Sequence, residues 1–124
     1  MSRRRLLFAA ALVLTACSDA ARPSGPGAHT ATVRSPHGAE GAAVLTLVGE
    51  GVLDVRPVGG TEVYSVVSGA LTRVVLIDQA GGTLAFEVIV AELSRPLVAL
   101  LQEVAGPDDE LRDDLSGYRV ELGG

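Results

Sequence analysis

From His29 onward, the chain consists of short runs rich in valine and leucine that are separated by glycine-containing turns. Within most runs, apolar and polar residues alternate, which places successive side chains on opposite faces of an extended strand. Repeated short strands between such turns are typical of an all-β sandwich or barrel. A chain of 124 residues has room for one domain. The sequence therefore predicts a single antiparallel β-sandwich over residues 29–124.

The alternation predicts seven strands, at residues 30–34, 43–48, 52–58, 62–67, 71–78, 83–90 and 118–122. The pattern is clearest in 83–90, where Leu84, Phe86, Val88 and Val90 are predicted to face inward. In strand 52–58, Leu53 and Val55 are predicted to lie on one face, opposite Asp54 and Arg56. Residues 79–82, Gln-Ala-Gly-Gly, are predicted to form a hairpin turn between two of these strands.

Residues 94–105 are compatible with a helix or a strand. Ser94 suits a helix N-cap, Pro96 suits the first turn, and Gly106-Pro107 suits a helix end, so local signals favour a helix and an α+β fold. A strand would place Leu97, Ala99 and Leu101 on one face. It would place Val98, Leu100 and Val104 on the other, as expected for a strand buried on both faces.

The order of several segments between residues 43 and 122 resembles a cohesin-like, immunoglobulin-related β-sandwich. These segments are 73–78 (Arg-Val-Val-Leu-Ile-Asp), 82–88 (Gly-Thr-Leu-Ala-Phe-Glu-Val), 98–105, the acidic turn at 108–110 and 117–121 (Gly-Tyr-Arg-Val-Glu). The resemblance implies that 98–105 is a strand. It carries over no partner-binding residues, because a shared fold alone does not define a partner.

The N-terminus has the three parts of an export signal. Arg3, Arg4 and Arg5 precede an apolar run over residues 6–14, which is too short to span a membrane. The following residues complete Leu14-Thr15-Ala16-Cys17, which resembles the bacterial lipoprotein lipobox. The resemblance implies cleavage after residue 16 and acylation of Cys17, the chain's single cysteine; the alternative is an ordinary secretory signal that happens to contain a cysteine.

An acylated Cys17 would place the protein in the cell envelope, attached to a membrane by its lipid. Ser18 follows the cysteine, a pattern that resembles outer-membrane rather than inner-membrane sorting in a bacterium with two membranes. Residues 17–28 contain two prolines and two glycines among small and polar residues, and are predicted to form a flexible tether.

The charge of the chain excludes one class of partner, and its histidines provide little chemistry. The net charge is −5, and removal of three signal-segment arginines leaves seven arginines against fifteen acids, or −8. Such a surface repels nucleic acid. His29 and His37 are the only histidines, and both are predicted to lie in solvated loops. We expect no catalytic residues and no cofactor.

Two small-ligand hypotheses remain open. Five carboxylates lie within seven positions and could bind Ca²⁺, although a solvated acidic loop is the favoured interpretation: Asp108, Asp109, Glu110, Asp113 and Asp114. Sugar binding by a β-sandwich normally uses exposed aromatic rings, and Tyr64 is the one candidate, since Phe86 is predicted inside. Tyr118 is predicted to be a core residue or to form a hydrogen bond at a corner of the fold.

These observations predict a membrane-anchored lipoprotein with a non-catalytic protein-interaction or envelope-structural domain. The expected partners are the membrane, through the lipid, and another envelope or extracellular protein. The alternative is a domain of the same fold that binds a small ligand, a carbohydrate or Ca²⁺.

Overall fold

A computed structural model describes residues 23–123. Within this range the regular secondary structure consists of β-strands alone, which confirms the predicted all-β fold. The strands are β1 (Gly27–Arg34), β2 (Glu40–Val48), β3 (Val52–Pro57), β4 (Glu62–Ser68), β5 (Leu71–Gly82), β6 (Ala85–Val90), β7 (Val98–Ala105) and β8 (Arg119–Gly123).

The strands form two antiparallel four-stranded sheets that pack against each other as a β-sandwich. The first sheet has the order β3-β6-β1-β8, and the second has the order β4-β5-β2-β7. Only β4 and β5 are consecutive neighbours in one sheet; the other connections cross between sheets. Each sheet is therefore assembled from strands that are distant in sequence.

The core lies between the inner faces of the two sheets. Phe86 and Val88 of β6 are fully buried, as the alternation predicted, and they face a layer that includes Leu45 and Leu76 from the second sheet. Burial of side chains of this size provides the largest favourable contribution to folding of the sandwich.

The predicted placement of Leu53 on the same face as Val55 is wrong. The β3–β6 ladder shifts register between Val52 and Asp54, which indicates a β-bulge at residue 53. A bulge inserts one extra residue and reverses the alternation beyond it. Val52 and Val55 are consequently both buried, whereas the Leu53 side chain is 63% exposed.

The helix predicted at 94–105 as an alternative is also wrong, because residues Val98–Ala105 form β7, which pairs with β2. Burial on both faces does not occur either: Val98 and Leu100 are exposed. The ladder shifts between Val44 and Leu45, so that Gln102 has no cross-strand partner. This second bulge turns Val104 inward, onto the face opposite to the one predicted for it.

The hairpin predicted at residues 79–82 is wrong. β5 continues through these residues to Gly82, and the chain then crosses to β6 in the first sheet. Within residues 23–123, the one hairpin joins β4 to β5, where Ser68 pairs with Leu71. Gly69 occupies the first central position of its two-residue turn with φ of 60°, a conformation that favours glycine and matches the twist of the strands.

The first strand begins before residue 29. β1 starts at Gly27, and Gly25 is held against the connection between β6 and β7. The Gly25 amide donates to the Glu92 carboxylate, at 2.6 Å from Oε2, and the Leu93 amide donates to the Gly25 carbonyl at 2.8 Å. The predicted tether is therefore attached to the sandwich by its last residues.

Two leucines test this account of the bulge. Leu45 is fully buried, so Leu45→Ala should lower the free energy of unfolding by about 2–5 kcal/mol. Leu53→Ala removes the same atoms from an exposed site and should change it by less than about 0.5 kcal/mol. Urea unfolding of both variants measures the difference. Equal losses would contradict the bulge in β3.

Candidate interaction surface

The outer face of the first sheet is predominantly polar, with Leu53 of β3 as its exposed leucine. It presents threonine and arginine side chains from β1, glutamate from β6, and arginine and glutamate from β8. Glu121 accepts from Arg34 Nε at 2.8 Å and from Arg119 Nη2 at 2.8 Å. These ion pairs are formed within the face itself.

The outer face of the second sheet is predominantly apolar, in contrast to the first. Its most exposed apolar side chains are Val66 (69%), Tyr64 (58%), Leu71 (53%), Val98 (52%) and Leu100 (52%). Half-buried valines and an isoleucine of β2 and β5 lie between them: Val44, Val48, Val75 and Ile77. We call these nine residues the apolar face. Contiguous exposed apolar surface of this kind marks interaction sites in soluble domains.

Arg73 lies in the middle of the apolar face. Its cross-strand neighbours are Val66 on β4 and Thr46 on β2, and neither is acidic. The Thr46 hydroxyl donates to Gln102 Oε1 at 2.9 Å. Within residues 23–123, Arg73 takes part in no ion pair. Its exposed guanidinium is therefore available to a carboxylate from outside the domain.

A shallow depression of about 130 Å³ adjoins the apolar face near Ala42 and Ala105. Leu111 forms part of its rim and is 64% exposed. Pockets that enclose small-molecule ligands usually measure roughly 300–1,000 Å³. The depression is smaller than that range and matches an apolar side chain of a protein partner better than a free ligand.

Glu40, which the sequence analysis did not single out, is the acceptor of a buried polar network. The side chain is 2% exposed, and Arg112 donates to its Oε1 from Nε at 3.1 Å and Nη2 at 2.9 Å. Ser35 donates to Oε2 at 2.6 Å, and the Tyr118 hydroxyl donates to the same oxygen. The network joins the start of β2 to the β1–β2 connection and to the segment before β8.

The network determines the pKa of its members. Burial alone would raise the pKa of Glu40, but the hydrogen bonds from Ser35, Tyr118 and Arg112, with the charge of Arg112, outweigh burial and lower it. Burial and the Glu40 carboxylate raise the pKa of Tyr118. A carboxylate that receives four hydrogen bonds and is inaccessible to solvent is suited to holding loops in place. Tyr118 thus forms the corner hydrogen bond that was one of its two predicted roles.

The acidic residues proposed for Ca²⁺ lie in the turns between β7 and β8, where two of them accept hydrogen bonds from backbone amides. Asp108 Oδ1 accepts from the Glu110 amide at 3.3 Å, and Asp114 Oδ1 accepts from the Ser116 amide at 2.9 Å. The bond from Ser116 lowers the pKa of Asp114. Asp109 has a φ of 66°, which aspartate tolerates in turns. In residues 23–123, no three acidic, histidine or cysteine side chains gather as a metal ion requires.

The other predicted site residues are dispersed. His29 lies within β1, opposite Val88, and is a half-buried strand residue, so its predicted loop position is wrong. His37 is exposed, with its ring 6.0 Å from that of Tyr118. Tyr64 is exposed, as expected, within the apolar face. Cys17 lies outside the described residues.

Comparisons of the chain with models of known protein families, with curated proteins and with solved structures find no match. Among residues 23–123 there is also no helix of the length and apolarity needed to cross a membrane. Function must therefore be inferred from the surfaces and contacts of this chain itself.

Replacement of Glu40 tests the buried network. Glu40→Gln leaves the Arg112 guanidinium without its counter-charge and should lower the free energy of unfolding at neutral pH by about 3 kcal/mol. Because the pKa of Glu40 is lowered in the folded state, its stabilisation is present above the unfolded pKa of about 4.3. It is lost as pH falls through the folded pKa. The difference between wild type and variant should therefore shrink on acidification.

Urea unfolding between pH 7 and pH 3 measures this difference. Glu121→Gln is the matched control, because Glu121 also accepts from two arginines but is exposed, and exposed pairs contribute little. A Glu40→Gln loss that stays constant with pH, or one no larger than that of Glu121→Gln, would contradict the assigned role of the network.

Proposed function

We propose that this protein is a lipid-anchored envelope protein whose β-sandwich is a non-catalytic protein-interaction module, and that the apolar face is its docking surface. The observation that carries the proposal is the contrast between the two outer faces. One carries mainly charged and hydroxyl side chains, with Leu53 as an isolated exposed leucine, whereas the other exposes Tyr64, Val66, Leu71, Val98 and Leu100 together.

The composition of the apolar face indicates the chemistry of its partner. Interface cores are depleted in charge and enriched in aromatic residues and arginine. Here one arginine, Arg73, stands among valines and leucines. A complementary partner presents apolar side chains around a carboxylate, which pairs with the guanidinium when water is excluded. The depression beside Leu111 would accept one further apolar side chain of that partner.

The proposed anchor is supported by Leu14-Thr15-Ala16-Cys17 and by the attachment of the chain to the sandwich. Gly25, which Glu92 holds in place, lies eight positions after Cys17. At ~3.6 Å per residue this segment spans at most ~29 Å. An acylated Cys17 would therefore keep the domain next to the membrane, within reach of other envelope proteins. Ser18 favours the outer membrane where a bacterium has two.

The cohesin-like resemblance remains part of the proposal at the level of fold. It rests on the hydrophobic pattern of residues 43–122 and is compatible with a two-sheet sandwich. It supplies no partner, because a fold of this kind carries many unrelated functions. The docking surface is therefore inferred from side chains alone.

The anchor is tested by Cys17→Ala. The variant should lose metabolic labelling with a radioactive fatty acid and should leave the membrane fraction, because no thiol remains for acylation. Ser18→Ala, one residue away, should keep both properties. Absence of label from the wild-type chain would contradict the anchor, even if the chain remained associated with membranes.

The docking surface is tested by photo-cross-linking in cells of the source organism, with p-benzoylphenylalanine placed at Leu71 or, as a control, at Thr32. Both positions lie on outward faces of central strands, but in opposite sheets. A discrete adduct with a second protein should form from position 71 and not from position 32. Arg73→Glu should reduce it at least tenfold, since facing carboxylates cost several kcal/mol.

Adducts from both positions, or none from position 71, would contradict the assignment of the docking surface. An adduct that forms only with a second copy of the chain would also contradict it, because the proposal concerns a different protein. The mass of the adduct distinguishes these outcomes.

A further inference from the structure

We propose that β4 is a self-association edge: two copies of the chain pair their Glu62–Ser68 strands in antiparallel fashion about a two-fold axis at Ser65, which joins the two second sheets into one sheet of eight strands. This proposal rests on the backbone edge of the sheet and on the β4 sequence. It does not depend on the lipid anchor or on the docking partner.

Three of the four sheet edges formed by residues 23–123 carry features that oppose pairing with another strand. β3 has a bulge at residue 53, an Asp54–Arg56 ion pair and Pro57 at its end. β8 has only five residues, and its charged Arg119 and Glu121 face outward.

The third protected edge is β7. It has a bulge at Gln102, and its C-terminal part is covered by the returning chain. Leu111 forms a bridge with Ala105, and the Arg112 amide donates to the Val104 carbonyl at 2.8 Å. The carbonyl of residue 104 is therefore already occupied by the chain itself.

β4 has none of these features. Its seven-residue ladder with β5 continues without a register shift, and it contains no proline. Residues 63–68, Val-Tyr-Ser-Val-Val-Ser, are uncharged and rich in β-branched and aromatic side chains, which favours pairing between identical strands. Apolar side chains are exposed on both sides of the strand: Tyr64 and Val66 outward, and Val67 (46%) on the inner side.

The β4 sequence is complementary to itself in one antiparallel register. With Ser65 opposite Ser65 of the second copy, Tyr64 lies opposite Val66 on the apolar face, and Val63 lies opposite Val67 on the inner side. Aromatic–β-branched pairs of this kind stabilise neighbouring strands. The single charge, Glu62, lies opposite Ser68 and does not meet its own copy. This fit favours a second copy over an unrelated strand as the occupant of the edge.

Introduced cysteines test both the pairing and its register in the full chain. Ser65→Cys would place two thiols directly opposite each other, at a Cα separation of about 4.5–5.5 Å that a disulfide spans. Ser68→Cys is the matched control, because Ser68 is also an exposed serine of β4. In the proposed register the Cα atoms of residue 68 in the two copies are about 20 Å apart. Wild-type chain controls for any disulfide formed through Cys17.

After mild oxidation, non-reducing electrophoresis should show at least ten times more disulfide-linked dimer for Ser65→Cys than for Ser68→Cys or wild type. Addition of Val66→Lys to Ser65→Cys should reduce the dimer to the control level, because it removes both Tyr64–Val66 pairs and places two lysines at diagonal positions about 7–8 Å apart on one face. Val66 is exposed in the single chain, so circular dichroism should remain unchanged.

Little cross-linking by Ser65→Cys would overturn the pairing. Equal cross-linking by both cysteine variants would overturn the two-fold register, and persistence of the dimer with Val66→Lys would overturn the role of the β4 edge. None of these results bears on the photo-adduct at position 71, which reports on a different protein.

Discussion

The structure depends on contact between the inner faces of its two sheets. All but one of the connections between the described strands cross from one sheet to the other, so neither sheet is assembled from successive hairpins. Packing of Leu45 and Leu76 of the second sheet against Phe86 of the first sheet is therefore what stabilises this strand order. This requirement constrains only inward side chains. The outer faces are free to differ: that of the first sheet is mainly polar, and that of the second is mainly apolar.

Two β-bulges determine which side chains of β3 and β7 enter the core. In β3 the bulge turns Leu53 outward and brings Val52 and Val55 into the core together; in β7 it brings Val104 inward. The same bulges interrupt two of the four sheet edges. Core packing and edge protection are therefore coupled in β3 and β7, whereas the regular ladder of β4 leaves its edge available.

The charged side chains fall into groups that differ in burial and in partners. The buried carboxylate of Glu40 receives four hydrogen bonds and ties the long β7–β8 connection to the sandwich through Arg112 and Tyr118. Two acidic residues of that connection, Asp108 and Asp114, accept hydrogen bonds from turn amides. Ion pairs of the first sheet's outer face are internal to that face. Arg73 stands apart from all of these and faces solvent among apolar side chains, which makes it the centre of the proposed docking surface.

By itself, the sequence determined the all-β class, most of the strands and the inward set Leu84, Phe86, Val88 and Val90, because a period of two is a local property of the chain. Tertiary structure decided what local patterns do not contain. Pairing with β2 made Val98–Ala105 a strand despite its helix signals, since hydrogen bonds to a distant strand outweigh weak intrinsic propensity. The buried network of Glu40 depends on Arg112 and Tyr118, which lie more than seventy positions away in the sequence. The apolar face is exposed because no other segment of residues 23–123 covers it.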